Sequence, residues 1–272
     1  MADRSAIEWT EATWNPVSGC SKVSPGCAHC YAERLSLRFG RSKQPWLPEH
    51  EVENVLLHPE RLDQPLRWRR PRVIFVNSMS DLFHERVPLR FIERVFTVMA
   101  EADRHVFQIL TKRHDRLLEL APSLPWPANV WMGVSVENRR WLQRVDALRQ
   151  VPAALRFISA EPLLGSLTGL DLTGIDWLIA GGESGPRHRE MRPEWARELR
   201  DTCRAQRVPF FFKQWGGRTS KAGGRTLDNR EWSQMPSLRT RSRVRNGCQT
   251  VQPFGQESQR ATVRPVPGVA VV

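Results

Sequence analysis

The stretch WNPVSGCSKVSPGCAHCYAER, residues 14–34, holds three cysteines between a predicted strand over 13–18 and a predicted helix over 31–39. Cys20, Cys27 and Cys30 lie close together in the sequence, and the other two cysteines, Cys203 and Cys248, are far away. A structural zinc site takes four protein ligands, whereas three thiolates leave one coordination position open for another ligand. The stretch therefore predicts a metal site with an open position, and it favours an iron–sulfur cluster.

Two other uses of these cysteines stay open at this point. A zinc ion could complete its ligand set with His29, His50 or Cys203, or with a water molecule. A disulfide framework is disfavoured because five cysteines is an odd number and no apolar signal segment follows MADRSAIEWT. The same reasoning predicts a cytoplasmic protein whose thiols stay reduced.

Composition and charge limit the classes of protein. The chain has 272 residues, of which 40% are hydrophobic, enough for a substantial core, and its longest apolar runs are far too short to cross a membrane. The net charge of +12 favours a polyanionic partner such as nucleic acid. Residues 237–272 hold six arginines against one glutamate and lack apolar periodicity, so we predict a basic, disordered tail after a domain that spans 1–236.

Six apolar runs recur along the body of the chain, and amphipathic segments separate most of them. Runs that are apolar on both faces are typical of parallel strands covered by helices. The predicted strands are VIFVN (73–77), VFQIL (106–110), VWMGV (130–134), LRFIS (155–159), WLIAG (177–181) and PFFFK (209–213), and the predicted helices between them cover 90–102, 113–120, 138–149 and 193–206. This alternation predicts an α/β fold, a parallel (β/α) barrel that is either partial or complete.

Polar residues follow every predicted strand. The carboxyl ends of parallel strands meet at one mouth of such a barrel, so these side chains should converge on one pocket that the cysteine loop also faces. The candidates are Ser78, Ser80 and Asp81; Thr111, Lys112 and Arg113; Ser135, Glu137 and Asn138; Ser159 and Glu161; Gly181, Gly182, Glu183 and Ser184; and Lys213, Gln214 and Trp215.

The cysteine stretch, together with SMSDLF, LTKR, GVSVEN, SAEPLL, GGESG and FKQWG, resembles the phage Gp37/Gp68 family, whose sequences are similar to the radical S-adenosylmethionine superfamily. The resemblance spans about residues 7–236. The superfamily's usual cysteine spacing is C-x3-C-x2-C. In this chain six residues separate Cys20 from Cys27, and the final C-x2-C is retained.

The resemblance implies a four-iron, four-sulfur (4Fe–4S) cluster held by Cys20, Cys27 and Cys30, with S-adenosylmethionine (AdoMet) bound to the fourth iron. An electron from an external donor would then give methionine and a 5′-deoxyadenosyl radical. It further implies that Ser78, Ser80 and Asp81 hold the methionine amino group, that Ser135 and Glu137 hold the ribose, and that Glu161, Gly181, Gly182 and Glu183 flank the adenine or the substrate.

The substrate is expected to be a nucleic acid base or a nucleotide. Lys112, Arg113, Lys213 and Trp215 would place cationic and stacking groups at the mouth, and we expect Lys112, Glu161, Glu183 and Lys213 to act in catalysis. Two other hypotheses remain: a radical AdoMet enzyme acting on a small molecule or a protein, and a noncatalytic zinc or iron–sulfur protein that binds DNA.

Overall fold

The computed structural model describes Ser5 and residues 7–236 of the chain, so the predicted tail, residues 237–272, lies outside the described residues. The strands are β1 (Ala12–Trp14), β2 (Val17–Ser18), β3 (Leu56–Leu57), β4 (Val73–Val76), β5 (Val106–Thr111), β6 (Val130–Ser135), β7 (Leu155–Ala160), β8 (Trp177–Gly181), β9 (Phe210–Gln214), β10 (Thr226–Leu227) and β11 (Arg230–Glu231). The α-helices are α1 (Tyr31–Arg38), α2 (Glu51–Asn54), α3 (Leu89–Glu101), α4 (His114–Leu120), α5 (Gln143–Gln150) and α6 (Pro193–Gln206).

Seven of these strands form one parallel sheet in the order β1-β4-β5-β6-β7-β8-β9. Neighbours in the sheet follow one another along the chain, which is the topology of a (β/α) barrel. Within the described residues β1 and β9 are the two edges of the sheet, so the barrel is open. The prediction of an α/β fold with a partial parallel barrel is therefore confirmed. No helix in this part of the chain is long and apolar enough to cross a bilayer.

The predicted strand over 13–18 is wrong as a single element. The chain leaves the sheet at Trp14, and β2 pairs instead with β3 in an antiparallel ribbon. Pro16 has no N–H group to donate to a ladder, and the Asn15 side chain accepts hydrogen bonds from Met79 N (3.0 Å) and Ser78 Oγ (3.2 Å). The break therefore joins the end of β1 to the loop after β4.

The predicted helix over 138–149 also differs from the structure. A short 3₁₀ turn over Arg139–Trp141 comes first, and α5 begins only at Gln143. Asn138 Oδ1 accepts the N–H of Arg140 at 3.0 Å and so starts the 3₁₀ turn in place of an α-helix. Every other predicted strand and helix agrees with the structure to within one residue at each end.

The two faces of the sheet bury different kinds of side chain. The helices cover one face, where α3 contributes a stripe that includes Phe91, Val95 and Met99. The opposite face, called here the inner face, carries a separate aromatic cluster. Its large members are Trp9, Phe75, Trp131, Phe157, Trp177 and Phe211. Trp177 lies at its centre, with ring centroids 5.7 Å from Phe157 and 6.0 Å from Phe211.

Beyond this cluster, toward the carboxyl ends of the strands, the inner face becomes polar. Successive residues of a strand point to opposite faces, so each inner-face position lies two residues after the previous one. Continuing from the aromatic and aliphatic cluster, the inner-face positions are Asn77, Lys112, Ser135, Glu137, Ser159, Glu161, Gly181, Glu183 and Lys213. The fold thus brings the polar residues that end the strands together above an apolar floor.

Candidate functional site

Three cysteines and the ends of the strands line one cleft. Cys20, Cys27 and Cys30 are free thiols in the segment between β2 and α1. The cleft is open to solvent, and its enclosed part has a volume of about 160 Å³. From the strand ends the cleft is lined by Phe75, Asn77, Ser78, Ser80, Asp81, Leu110, Thr111, Lys112 and Ser135.

Glu137 holds the first half of the cysteine loop. Its side chain is fully buried, and Oε1 accepts the hydroxyl of Ser24 at 2.6 Å. Oε2 accepts Arg144 Nη1 at 2.9 Å, and Lys112 Nζ lies 3.7 Å from Oε1. Gly26 passes directly over the carboxylate, where a Cβ atom would collide with it. Both oxygens of Glu137, predicted to hold ribose, are therefore committed to fixing the loop and its surroundings.

Glu183 holds the second half of the loop through His29, which lies between two of the cysteines. His29 Nδ1 is 2.9 Å from Glu183 Oε2, and Arg189 donates to both carboxylate oxygens. Arg189 also donates to the carbonyl of Pro25 at 2.9 Å. Burial opposes ionisation of Glu183, but the hydrogen bonds from Arg189 and His29 outweigh it and lower the pKa of the carboxyl to about 2. The carboxylate is ionised throughout the neutral range.

A buried cation lies behind Cys20. Arg113 Nη2 donates to Ser21 O (3.0 Å) and Ser21 Oγ (2.9 Å) and lies 4.0 Å from Cys20 Sγ. Its other amino group pairs with Glu85. Burial raises the pKa of the Cys20 thiol, the Asp81 carboxylate raises it further, and Arg113 opposes the rise. Burial also raises the pKa of Cys30. These thiols become thiolates only beside a strongly cationic partner such as a metal centre.

Asp81 joins the loop after β4 to the end of β5. Its carboxylate accepts Thr111 Oγ1 at 2.7 and 2.9 Å and Lys112 N at 3.1 Å. Ser80 Oγ donates to Val17 O at 2.9 Å, and Ser78 O accepts the Tyr31 hydroxyl at 2.7 Å. The three residues predicted to hold the AdoMet amino group thus lie on the cleft wall, where they also fasten neighbouring loops.

Asn77 is a cleft residue that sequence reasoning missed, because it was taken as the last residue of a strand. Its backbone lies in the left-handed region (φ 61°), which turns the chain out of β4. Oδ1 accepts Val17 N at 3.3 Å, whereas the buried Nδ2 has no hydrogen-bond partner within the described residues. A buried amide donor without a partner costs free energy unless a ligand accepts its hydrogen bond. The sequence did contain one signal for this role, namely a polar asparagine at the end of an otherwise apolar strand.

The predicted catalytic lysines are both paired with carboxylates. Lys213 Nζ lies 2.9 Å from Glu161 Oε1, and Ser159 donates to Glu161 Oε2 at 3.1 Å. Gly181 leaves room for Glu161, since a Cβ atom there would lie 2.8 Å from Oε1. Lys112 faces Glu137, as described above. The mouth therefore presents donor and acceptor pairs rather than free cations.

Gly182 and Trp215 pack against one another rather than facing open space. A Cβ atom at Gly182 would collide with the carbonyl oxygen of Trp215. The Trp215 ring packs edge to face on Phe212 at 4.9 Å, and its N–H donates to Thr226 O at 2.8 Å. The absence of a side chain at Gly182 therefore allows the backbone of Trp215, and not a ligand, to approach closely. The indole predicted to stack on a substrate packs on the Phe212 ring.

The donor set fits an iron–sulfur cluster with an open position. Soft thiolates suit iron–sulfur clusters, and all three are within reach of the same cleft. Cys203 is fully buried on α6 within the helix-covered core, so the zinc site completed by Cys203 is wrong. Within the described residues no three or more His, Cys, Asp or Glu side chains lie together in a group that could hold a single metal ion.

The stability of the chain should depend on pH through His84, whose buried ring contacts Ser21 Oγ at 2.9 Å. Burial and the nearby Arg113 lower the pKa of His84 to about 4. The unfolded chain takes up this proton near pH 6.5 and the folded chain does not, so stability is complete above pH 6.5 and falls as the pH drops toward 4. We expect a loss of about 3 kcal/mol over this range in urea unfolding.

His84→Gln should reduce the pH dependence of the unfolding free energy between pH 6.5 and 4. His114→Gln, which removes a ring beside the exposed Asp115 carboxylate, should keep the dependence of the parent. An unchanged slope in His84→Gln would show that His84 is protonated in the folded chain.

The fold and the cleft together define an open parallel (β/α) half-barrel with a three-cysteine loop at the carboxyl ends of its strands. A family model matches residues 4–236, and the chain belongs to that family, described as protein of unknown function (DUF5131). No curated protein sequence matches the chain. The resemblance to the phage Gp37/Gp68 family has no support from these comparisons and stays a prediction.

Several solved structures of spore photoproduct lyase are similar to the chain. A mutant of that protein has 15% sequence identity and a TM-score of 0.43, over 74% of this chain and 63% of that chain. A mutant with bound AdoMet and dinucleoside spore photoproduct has 14% identity and a TM-score of 0.42, over 71% and 59%. The chain thus spans less than two thirds of these two structures. Similarity at this level says nothing about the substrate of this chain.

Proposed function

We propose that this protein is an iron–sulfur enzyme of the radical AdoMet class, with a 4Fe–4S cluster on Cys20, Cys27 and Cys30. The observation that carries the proposal is that three free thiols line one cleft while Cys203 lies in the core. Three thiolates leave one iron free for an exchangeable ligand. When bound, the cluster on Cys20, Cys27 and Cys30 would supply the chemistry of reductive AdoMet cleavage, in which an electron from an external reductant would give methionine and a 5′-deoxyadenosyl radical able to take a hydrogen atom from the substrate.

The residues around the loop keep the three thiols in place. Glu137, Glu183 and Arg189 bind Ser24, Pro25 and His29, so both halves of the loop are fastened to strand ends. Arg113 places a positive charge beside Cys20, where it would stabilise the thiolate. Hydrogen bonds and charges near the sulfur atoms are the means by which proteins adjust cluster potentials. This chain would therefore bind the cluster on a rigid and partly electropositive loop.

AdoMet would occupy the wall formed by the loop after β4. Asn77 offers an unused Nδ2 donor for its carboxylate, and Ser78 and Ser80 lie on the same wall. Asp81 orders this wall through Thr111 and Lys112, and we retain it as a candidate for the amino group. Ser135 faces the cleft from β6 and stays a candidate for the ribose hydroxyls.

The substrate that this mouth favours is a nucleic acid base or a nucleotide. Glu161 and Lys213 present an acceptor and a donor 2.9 Å apart on the inner face, which suits the hydrogen-bonding edge of a base. Glu161 and Lys213 are therefore proposed to position the substrate, and Lys112, which is paired with Glu137, is a further candidate. A base in a duplex would have to leave the stack to reach this depth. The second candidate for the substrate is a small molecule or a protein.

The proposal is tested under anaerobic conditions by incubating the reduced protein with AdoMet and measuring 5′-deoxyadenosine by chromatography. We expect slow formation without added substrate. Asn77→Asp keeps the acceptor for Val17 N, removes the donor and adds a negative charge that would repel the AdoMet carboxylate, so it should weaken AdoMet binding about tenfold and leave the iron content unchanged.

The matched control is Asn138→Asp, because the cap at this position uses only the Oδ1 atom. This variant should bind AdoMet like the parent. A fully loaded, reduced protein that forms no 5′-deoxyadenosine would rule out the enzyme proposal and favour a DNA-binding iron–sulfur or zinc protein.

A further inference from the structure

An exposed phenylalanine lies at the end of the helix that follows the cysteine loop. Phe39 is the residue after α1, and 61% of it is exposed, far more than is usual for an aromatic side chain. The guanidinium groups of Arg38 and Arg41 lie 5.7 and 5.8 Å from the centre of its ring. An exposed aromatic ring beside two arginines is the combination on which single-stranded nucleic acid binds, with a base on the ring and phosphates on the cations.

The cations of this surface are not neutralised within the described residues. Arg34, Arg38, Arg41 and Lys43 are all exposed, and none of them forms an ion pair there. This differs from the mouth, where Lys112 and Lys213 face Glu137 and Glu161. Phosphate groups are attracted by charge that is not already compensated, so they should bind at α1 rather than at the lysines of the mouth.

A groove continues the surface beyond Phe39. It is lined by Gly40, Arg41, Ser42, Lys43, Glu53, Asn54 and Leu56. Two cations face one carboxylate in this groove, so its net charge is positive. The exposed Leu56 adds an apolar contact for the face of a base or for a sugar. The groove provides a path for a strand that leaves the ring of Phe39.

The surface is fixed relative to the cleft. Cys30 is the N-cap residue of α1, and Tyr31 donates to Ser78 O in the loop after β4. Arg34 lies against Gly185 in the loop after β8, where a Cβ atom would collide with the guanidinium group. Helix α1 has eight residues, so Phe39 lies about 12 Å along the axis from the cysteine loop, roughly two nucleotides of an extended strand.

We propose that Phe39, Arg38 and Arg41 form a docking surface for single-stranded or locally opened nucleic acid, which stacks one base on Phe39 while a neighbouring nucleotide enters the cleft. This inference rests on the proposed action on nucleic acid and assigns the strand-binding residues. Charge complementarity and the exposed ring together favour this occupant over a membrane or an acidic protein.

The test measures binding of a fluorescein-labelled single-stranded oligonucleotide to the full chain by anisotropy at several salt concentrations. Phe39→Ala should weaken binding about tenfold with an unchanged salt slope, since stacking is lost and charge is not. Phe39→Leu should weaken binding to a similar extent, and Phe39→Trp should bind the oligonucleotide like the parent. Arg38→Ala with Arg41→Ala should reduce the slope of log K against log salt by about 1.4.

Matched controls lie on α3 and α4, outside the surface formed by Phe39, Arg38 and Arg41. Leu118→Ala removes another exposed apolar side chain, and Arg90→Ala with Arg94→Ala removes two exposed arginines of α3. Both controls should bind the oligonucleotide like the parent. Binding is measured with and without iron, so this test is independent of enzyme activity.

Equal affinity of Phe39→Ala and the parent would overturn the docking surface even if AdoMet is cleaved. Tighter binding to anionic lipid vesicles than to the oligonucleotide would overturn it as well. If the Phe39 and arginine effects hold in a chain that assembles no cluster, the surface stands and the proposed enzyme falls.

Discussion

Replacing any one of Cys20, Cys27 and Cys30 by alanine should abolish cluster assembly. The parent, reconstituted under anaerobic conditions, should hold roughly four iron atoms per chain and show broad visible absorbance, and each variant should hold almost none. A cluster with only two protein thiolates loses both charge compensation and geometry. The three positions should be equally sensitive, because all three thiols line the same cleft.

The controls for this experiment are the two remaining cysteines. Cys203→Ala removes a sulfur atom from the core on α6 and should cost only stability, on the order of 1 kcal/mol. Cys248, which lies outside the described residues, should be replaceable by alanine without loss of iron. If Cys203→Ala lost iron as fully as Cys27→Ala, the site would be a closed four-cysteine centre and the enzyme proposal would fail.

Replacement of Glu137 by alanine should have the largest effect on stability. Arg144 is fully buried, and within the described residues Glu137 is the carboxylate that forms an ion pair with it, so Glu137→Ala leaves this charge without an anionic partner there. Breaking a buried ion pair by removing one partner costs about 3–5 kcal/mol. Ser24 would lose its acceptor in the same variant, so the cysteine loop should become looser and iron loading slower. Urea unfolding and the rate of iron incorporation measure the two effects.

Glu137→Gln keeps the shape of the side chain and provides a measurable variant if Glu137→Ala does not fold. Asp146→Ala breaks an exposed ion pair with Arg149 and should cost less than about 1 kcal/mol. Parent-like stability of Glu137→Gln, combined with weaker AdoMet binding, would contradict the loop-fixing role and support the ribose role predicted from the sequence.

The sheet could be predicted from the sequence because strands covered on both sides are apolar throughout. VFQIL and WLIAG both coincide with interior strands of the sheet. The exit of the chain from the sheet at Trp14 was missed because it depends on the Asn15 side chain, whose partners lie more than sixty residues away. Asn77 was missed for the same kind of reason, since a left-handed turn after a strand leaves little trace in an apolar pattern.

The residues of the candidate site were easier to predict than their roles. Position after a strand predicted that Glu137 and Glu183 would lie at the mouth, but not that their partners would be Ser24 and His29, 113 and 154 residues away. The charges of Lys112 and Lys213 were visible in the sequence, and their carboxylate partners were not. Whether a charge is neutralised by a partner depends on the folded chain. Because the lysines of the mouth are paired with carboxylates, we expect phosphate groups to bind at α1 and not at the mouth.

The central claim is that three thiolates hold a cluster whose fourth iron accepts AdoMet. Electron paramagnetic resonance of the anaerobic, dithionite-reduced full chain tests it most directly. We expect the signal of a reduced 4Fe–4S cluster, and we expect its g values to shift when AdoMet is added because the cofactor becomes a ligand of the cluster. A cluster signal that AdoMet leaves unchanged, or a chain that binds zinc and gives no signal, would contradict the account.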